Sequence, residues 1–357
     1  MDSAEIEKML LQKARIIDKA MERYVPRRYG SRAMEFSFGR PRYRFSAEIA
    51  DRALARPVWD LLDRGGKRWR PALFLLTCEA LGGEPQQFLD FVVIVEMLHN
   101  GSLMIDDIED GSELRRGKPC TYRIFGTDIA INAGNFMYYA PLLVLLRSKI
   151  SNEKKLRAYE MYAQEMLNIH LGQASDILWH RGLAEPSGEE EYLQMCAFKT
   201  GTLARLAAKL GALCADADEK SIETAGALAE SLGVAFQIQD DILNLTARSN
   251  KGQFSKGYIG EDIREGKRSL MVIHALQKAS APDKKRLLEI LNIHTRDKKL
   301  ISEAIEIIKK YGAVDYAKTR AREIVAGAWR EADKMLKESK AKQQLRALAM
   351  FAIEREY

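Results

Sequence analysis

Residues 91–110, FVVIVEMLHNGSLMIDDIED, run from a continuous apolar stretch into four acids within five residues. The spacing predicts a long, mostly apolar helix over 86–110, on which Asp106 and Asp110 sit one turn apart on one face, flanked by Asp107 and Glu109. Acids this close repel one another unless cations sit between them, and hard oxygen ligands of this kind suit Mg2+, which keeps waters and bridges to phosphates. Arg115 and Arg116 follow at once and offer a bidentate grip on phosphate oxygens. The stretch has the outline of a diphosphate site. Its plainer reading is the solvated end of a helix.

The pattern returns at Gln237-Ile238-Gln239-Asp240-Asp241-Ile242-Leu243-Asn244, where Asp240 and Asn244 form a second i, i+4 pair of oxygen-bearing side chains at the end of an apolar helix. Two such clusters on long helices are far less probable by chance than one. Strand candidates are nearly absent, because no alternating run bounded by hairpin turns stands out, so the expected fold class is all-α.

Composition narrows the function. The chain has 357 residues, 46% hydrophobic and 30% charged, enough for a large buried core and against a membrane protein or long disorder. No linker interrupts the pattern, so the expected organisation is an N-terminal helix and basic, aromatic arm over 1–45 and a single domain over 46–357. No uninterrupted apolar stretch of bilayer length and no signal-peptide core are read, and Cys78, Cys120, Cys196 and Cys214 are scattered without a C-x-x-C pair, which suits reduced thiols in a cytoplasmic protein. A net charge of +6 comes from 56 basic and 50 acidic residues and does not by itself imply nucleic acid.

Along the chain, an amphipathic helix is predicted from Ala4 to Tyr24, ended by Pro26. The segment from Arg27 to Arg44 is basic and aromatic; a docked arm or a partner contact is the ordinary reading, base stacking the adventurous one. A helix follows from Ala47 to Leu62, and then Gly65-Gly66-Lys67-Arg68-Trp69-Arg70-Pro71, which leaves Lys67 and Arg70 at a helix start, where anions also favour the dipole. His99 lies near the face of Asp106. Helices are predicted from Gly126 to Arg147, Ala158 to Trp179, Glu189 to Leu213 and Lys220 to Leu245. Within them, the polar run Gly172 to Asp176 must find partners if buried, and Gly201 thins the helix beside Lys199 and Thr200. A polar flap is expected from Thr246 to Gly260. Gly260 to Lys267 is not a P-loop, since five residues separate the glycines and Arg268 replaces the Ser or Thr. The remainder reads as helices with breaks near Ala281, His294 and Gly312.

Taken in order, GGKRWRP, HNGSLMIDDIED, LRRGKP, GQASD, KTG, FQIQDDILN and GEDIREGK make the chain resemble the trans-polyprenyl diphosphate synthase family from about Gly65 to Gly312. The resemblance implies an antiparallel helical bundle around a deep central cavity, the isoprenoid synthase fold, with the two acidic motifs facing across its mouth. It implies Mg2+ held by Asp106, Asp110 and Asp240, and an allylic diphosphate gripped by Arg115, Lys199 and Lys267. Lys256 would join them from a flap whose spacing departs slightly from the usual pattern. Isopentenyl diphosphate would bind at Lys67, Arg70, His99 and Arg116, and Thr200 and Gln237 would line the reacting carbons.

The implied chemistry is ionisation of the allylic substrate, attack by the double bond of isopentenyl diphosphate and loss of a proton to the departing diphosphate, in a pocket that excludes water. Gly101 and Ser102 stand where a bulky aromatic would stop a short chain, and Tyr138 and Tyr139 are candidates for the cavity floor. The wording of both acidic motifs resembles geranylgeranyl diphosphate synthases, which implies a twenty-carbon product; a farnesyl or longer-chain synthase is the alternative. Asn244 departs from the commoner Asp and removes one charge. A class I terpene cyclase and a non-catalytic synthase subunit are weaker alternatives, since a cyclase has little use for Lys67, Arg70 and Arg116, and a regulatory subunit ordinarily loses acids. The expected assembly is a homodimer or an assembly of dimers.

Overall fold

The structure is a computed structural model that describes residues 3–246 and 259–354. Its helices are α1 Ser3–Tyr24, α2 Ser31–Phe38, α3 Ala47–Ala50, α4 Arg56–Leu62, α5 Trp69–Ala80, α6 Val92–Glu109, α7 Thr121–Phe125, α8 Thr127–Tyr139, α9 Leu142–Arg147 and α10 Asn152–His180. They continue as α11 Glu189–Cys196, α12 Thr202–Cys214, α13 Glu219–Thr246, α14 Glu261–Arg264, α15 Leu270–Lys278, α16 Ala281–Asn292, α17 Lys298–Lys310, α18 Ala313–Met335 and α19 Lys340–Glu354. Among the described residues the only strands are two short ones, Leu114–Arg115 and Lys118–Pro119, paired antiparallel.

Prolines and π turns account for most of the differences from the expected helix boundaries. Pro141 splits the helix expected over 126–147, because it cannot donate to the preceding turn. Residues ahead of Val92 form a 3-10 helix, Pro85–Phe91, bent at Phe88, rather than the first turns of α6. The helix containing Pro57 continues through a π turn, Asp51–Ala55, just before the proline. A second π turn, Ala197–Gly201, joins α11 to α12 and ends at the glycine expected to thin the helix. An extra break separates α18 from α19.

Helix α13 packs against α12 and α18, α12 against α5, and α6 against α8, while α19 closes over α5 and α13. Helix α1 sends Ile6, Leu10, Ile17 and Met21 into the same core as the rest of the bundle. Two helical stretches, Pro85–Glu109 and Thr127–Arg147, are long and apolar enough to cross a membrane, contrary to the expectation that none is. Each packs part of its apolar surface within the bundle: Val92, Val93, Val95 and Met97 are fully buried, as are Ala130, Ala133 and Met137, while Ile131 and Leu146 stay exposed. The four cysteines are free and buried.

Candidate active site

One cavity of about 1190 Å³ is walled by α5, α6, α8, α10, α11, the following π turn, α12 and α13. It receives Asp106 and Glu109 from the end of α6 and Asp240, Asp241 and Asn244 from the end of α13, so the two acidic motifs meet in a common cleft. It also receives Lys67, Arg70, His99, Arg115, Arg116, Lys199, Thr200, Gln237 and Lys267. Asp110 caps α6 rather than lining the cavity wall, and its charge still helps to hold the Lys199 ammonium protonated.

On the acidic side each motif divides its labour by helical phase. Asp106 faces the cavity and takes Lys199 Nζ at 3.3 Å, Gln173 Nε2 at 3.2 Å and Arg115 Nη2 at 3.3 Å. Asp107, about 100° around the helix, is buried and pairs with Arg115 at 2.5 Å, which aims the arginine past it. The second motif repeats the arrangement. Asp240 is exposed toward the cleft, whereas Asp241 is buried and accepts from Lys267 at 2.9 Å, Tyr192 at 2.9 Å and Gln237 at 2.8 Å. Gln237 in turn accepts the Thr200 hydroxyl at 2.8 Å. Asn244 has a second task, since its Oδ1 accepts the Asp262 N–H at 3.1 Å and its carbonyl the Gly260 N–H at 2.9 Å.

Lys199 and Thr200 reach this network through close backbone approaches. The π turn that carries them lies against Gly172 of α10, where an added Cβ would stand 2.7 Å from the Phe198 carbonyl carbon, and Gly233 of α13 meets Gly201 equally closely. Lys199 bridges Asp106 and Asp176, the latter at 2.5 Å. Burial alone would lower its pKa, but Asp176, Asp106 and Asp110 outweigh that and raise it. Burial, followed by the nearby Asp106 and Asp110 charges, raises the carboxyl of Glu109 against the pull of Gln173.

The basic side forms around the turn into α5. Gly65 and Gly66 have φ of 82° and 143°, and Arg68 adopts the left-handed region at 49° while pairing with buried Glu96 at 2.6 Å. Arg116 donates to the Gly65 carbonyl and lies against Gly66, where a Cβ would be 3.1 Å from Nη2. Glycine is required there for its conformation, and its missing side chain leaves room for the guanidinium. Burial pushes Arg70 and Arg116 down to about 10, and the buried Nε of Arg70 has no hydrogen-bond partner. His99 is held well below its ordinary range by burial and then by Arg70, Arg116, Arg68 and Arg115. Lys67 sits 4.8 Å over the ring of Phe351 from α19. Neutral imidazole among guanidinium groups is a donor set for an anion.

Sequence reasoning left several wall residues without roles. Gln173 and Asp176 were legible only as polar residues needing partners, and they bind Glu109, Asp106 and Lys199. Arg64 lines the basic end, holding the Arg115 carbonyl at 3.1 Å. His170 packs edge-on against Tyr138 at 5.9 Å. Of the four residues expected to limit the chain, Ser102 and Tyr138 line the cavity. Gly101 instead fills the α6–α8 crossing, where a Cβ would be 2.9 Å from Met137 and 3.0 Å from the Gly134 carbonyl, and Tyr139 points outward, 70% exposed. Lys256 and most of the expected flap lie outside the described residues.

The family model for polyprenyl synthetase matches residues 51–308. A short chain isoprenyl diphosphate synthase of Methanothermobacter thermautotrophicus is 36% identical over 311 residues, 87% of this chain and 93% of that protein. A geranylgeranyl pyrophosphate synthase of Metarhizium anisopliae is 40% identical over 245 residues, 69% of this chain and 68% of its own. The crystal structure of geranylgeranyl pyrophosphate synthetase from Pyrococcus horikoshii superposes with a TM-score of 0.85 at 33% identity, covering 100% of both chains.

Proposed function

This chain belongs to the polyprenyl synthetase family, and we propose that it condenses isopentenyl diphosphate with an allylic diphosphate to give geranylgeranyl diphosphate. The observation that carries the reading is the meeting, in one cavity, of two acidic helix ends and two sets of cations. One set, Arg115, Lys199 and Lys267, is paired to the acids; the other, Lys67, Arg70 and Arg116 with His99, stands at the turn into α5. A cyclase would need only the first set.

The family is divalent-metal dependent, and the donors here are carboxylate oxygens, which fit Mg2+. Asp106, Asp110 and Asp240 would hold it. No three His, Cys, Asp or Glu among the described residues gather into a metal site unaided, which suits an ion whose remaining ligands are diphosphate oxygens and water. When bound, Mg2+ supplies positive charge against the departing diphosphate.

The protein's own groups supply the rest. Lys199, Lys267 and Arg115, with Lys256, would grip the allylic diphosphate, and the acids that hold the first three keep them protonated and aimed. Lys67, Arg70, Arg116 and His99 would hold isopentenyl diphosphate with its double bond toward the allylic carbon. As the allylic C–O bond breaks, the Thr200 and Gln237 oxygens can face the developing cation, with Phe236 on the same wall. The double bond then forms the new C–C bond, and the proton lost from the adduct passes to the departing diphosphate. Leu103, Ile105, Ile169 and Leu203 supply apolar wall for the tail.

Tyr138 and His170 are the candidates for the floor, and a twenty-carbon length is supported by the two similar synthases named for geranylgeranyl pyrophosphate. Exposed Leu167, Leu171 and Leu178 along α10 support pairing with a second copy, as a homodimer. Incubation of purified protein with farnesyl diphosphate, labelled isopentenyl diphosphate and Mg2+ should yield a twenty-carbon product, and EDTA should abolish it. Turnover undiminished in EDTA, or no requirement for isopentenyl diphosphate, would overturn the reading.

A further inference from the structure

The catalytic reading leaves the arm between α1 and α4 unused, yet that arm holds nearly all of the chain's charge excess. Residues 27–56 contain eight arginines, three acids and no lysine, a net +5 against +6 for the whole chain. All eight arginines are exposed. Three are answered by carboxylates: Arg27 by Glu22 and Asp63, Arg40 by Glu35, and Arg52 by Glu48. Among the described residues, Arg28, Arg32, Arg42, Arg44 and Arg56 have no carboxylate partner.

Apolar groups stand among these cations on the surface. Tyr43 is 75% exposed and Ile49 68%, with Phe38 and Phe45 also exposed. The arm is nevertheless fastened. Phe36 meets Tyr24, Phe38 meets Tyr29 and Phe136, Arg147 donates to the Phe36 carbonyl at 3.0 Å, and the Tyr29 N–H donates to Asp51 at 2.6 Å. A tethered surface of unpaired arginines interleaved with aromatic rings matches the interfacial zone of a bilayer, where rings sit at headgroup level and cations meet anionic lipid. Nucleic acid would use the cations but gives no comparable role to Ile49, and an acidic protein would leave the aromatic edge wet.

We infer that residues 28–56 dock the enzyme on an anionic lipid surface. Phe38 rests on Phe136 of α8, and the same helix turns Asn135 and Tyr138 into the cavity, so the docked arm lies one helix away from the cavity wall. The docking does not rest on the reaction proposed above.

Full-length protein should co-sediment with phosphatidylcholine vesicles containing about 30% phosphatidylserine, not with pure phosphatidylcholine, and should be released by high salt. R42E/R44E/R56E should weaken vesicle binding by an order of magnitude or more, and Y43S/I49S should weaken it at low salt, both with unchanged circular dichroism and unchanged turnover of soluble substrates. Failure of the native protein to bind anionic vesicles, or equal binding to neutral ones, overturns the inference. So does a change of oligomeric state in the triple variant without vesicle binding by the native protein, which would assign the face to a second copy. Oligonucleotide binding that outcompetes the vesicles would assign it to nucleic acid. Loss of prenyl transfer in the native enzyme would strike the proposed reaction and leave the vesicle result standing.

Discussion

Gly172→Ala tests whether the position of Lys199 is set by backbone contact. The added Cβ would lie 2.7 Å from the Phe198 carbonyl carbon and 2.8 Å from Lys199 Cα, with Lys199 N closer still, whereas ordinary contacts begin at 3.4 Å. None of these atoms belongs to a side chain that can swing away. The π turn must therefore withdraw from α10 by about 0.7 Å or more, and overpacking of this kind costs about 1–3 kcal/mol. Lys199 Nζ starts 3.3 Å from Asp106, near the limit of hydrogen-bond range, so a withdrawal of that size away from α10 is enough to break the contact. Misplacement on that scale lowers turnover by roughly 100-fold. Steady-state rates with labelled isopentenyl diphosphate give the first quantity and thermal unfolding the second, with a fall of about 2–6 °C expected. Gly327→Ala is the control: its Cβ meets only Arg330 at 3.8 Å, so both readings should stay native or improve slightly. A Gly172→Ala enzyme with native turnover would refute the claim that these glycines aim Lys199.

Other perturbations separate residues that share a motif. Asp240→Ala should lower kcat by about three orders of magnitude or more, as loss of a charge-stabilising group does. Asn244→Ala should cost less in kcat and instead speed proteolysis around α14, because it removes the acceptor for the Asp262 N–H; equal losses of kcat would contradict the division. Tyr138→Ala should shift products beyond twenty carbons by opening the contact with His170, while Tyr139→Ala, at an exposed position, should leave the chromatogram of dephosphorylated products unchanged. His99 sets a pH dependence. Its folded pKa lies well below the ordinary 6.5, so its contribution to stability is complete above about 6.5 and declines as pH falls toward the folded value. His99→Gln should flatten the pH dependence of the unfolding free energy, measured in urea between pH 7 and 5, by up to about 1.4 kcal/mol per pH unit, and parallel curves would exclude the assignment.

What the sequence made legible, and what it hid, follows from the range of the physics involved. Helices and acidic motifs depend on spacings of three to seven residues, so α6 and α13 could be read with their carboxylates already on the right face. Pro141 was equally visible, but whether a proline bends, bulges or breaks a helix depends on its neighbours, and Pro57 and Pro141 resolve oppositely. Pairings across the cavity were out of reach. Nothing local distinguishes Gln173, which reaches Asp106 across 67 residues, or His170, which meets Tyr138 across the α8–α10 contact. Gly101 shows the same limit from the other side. Its smallness was legible and read as space for a tail, but the space is taken by Gly134 and Met137 of α8. A glycine in a helix records only that something comes close, and the chain alone cannot say whether that is substrate or backbone. Substitution can: Gly101→Ala should act on stability, by forcing α6 from α8 at a contact of 2.9 Å, before it acts on product length. Shorter products from a Gly101→Ala enzyme of native melting temperature would return the residue to the cavity wall.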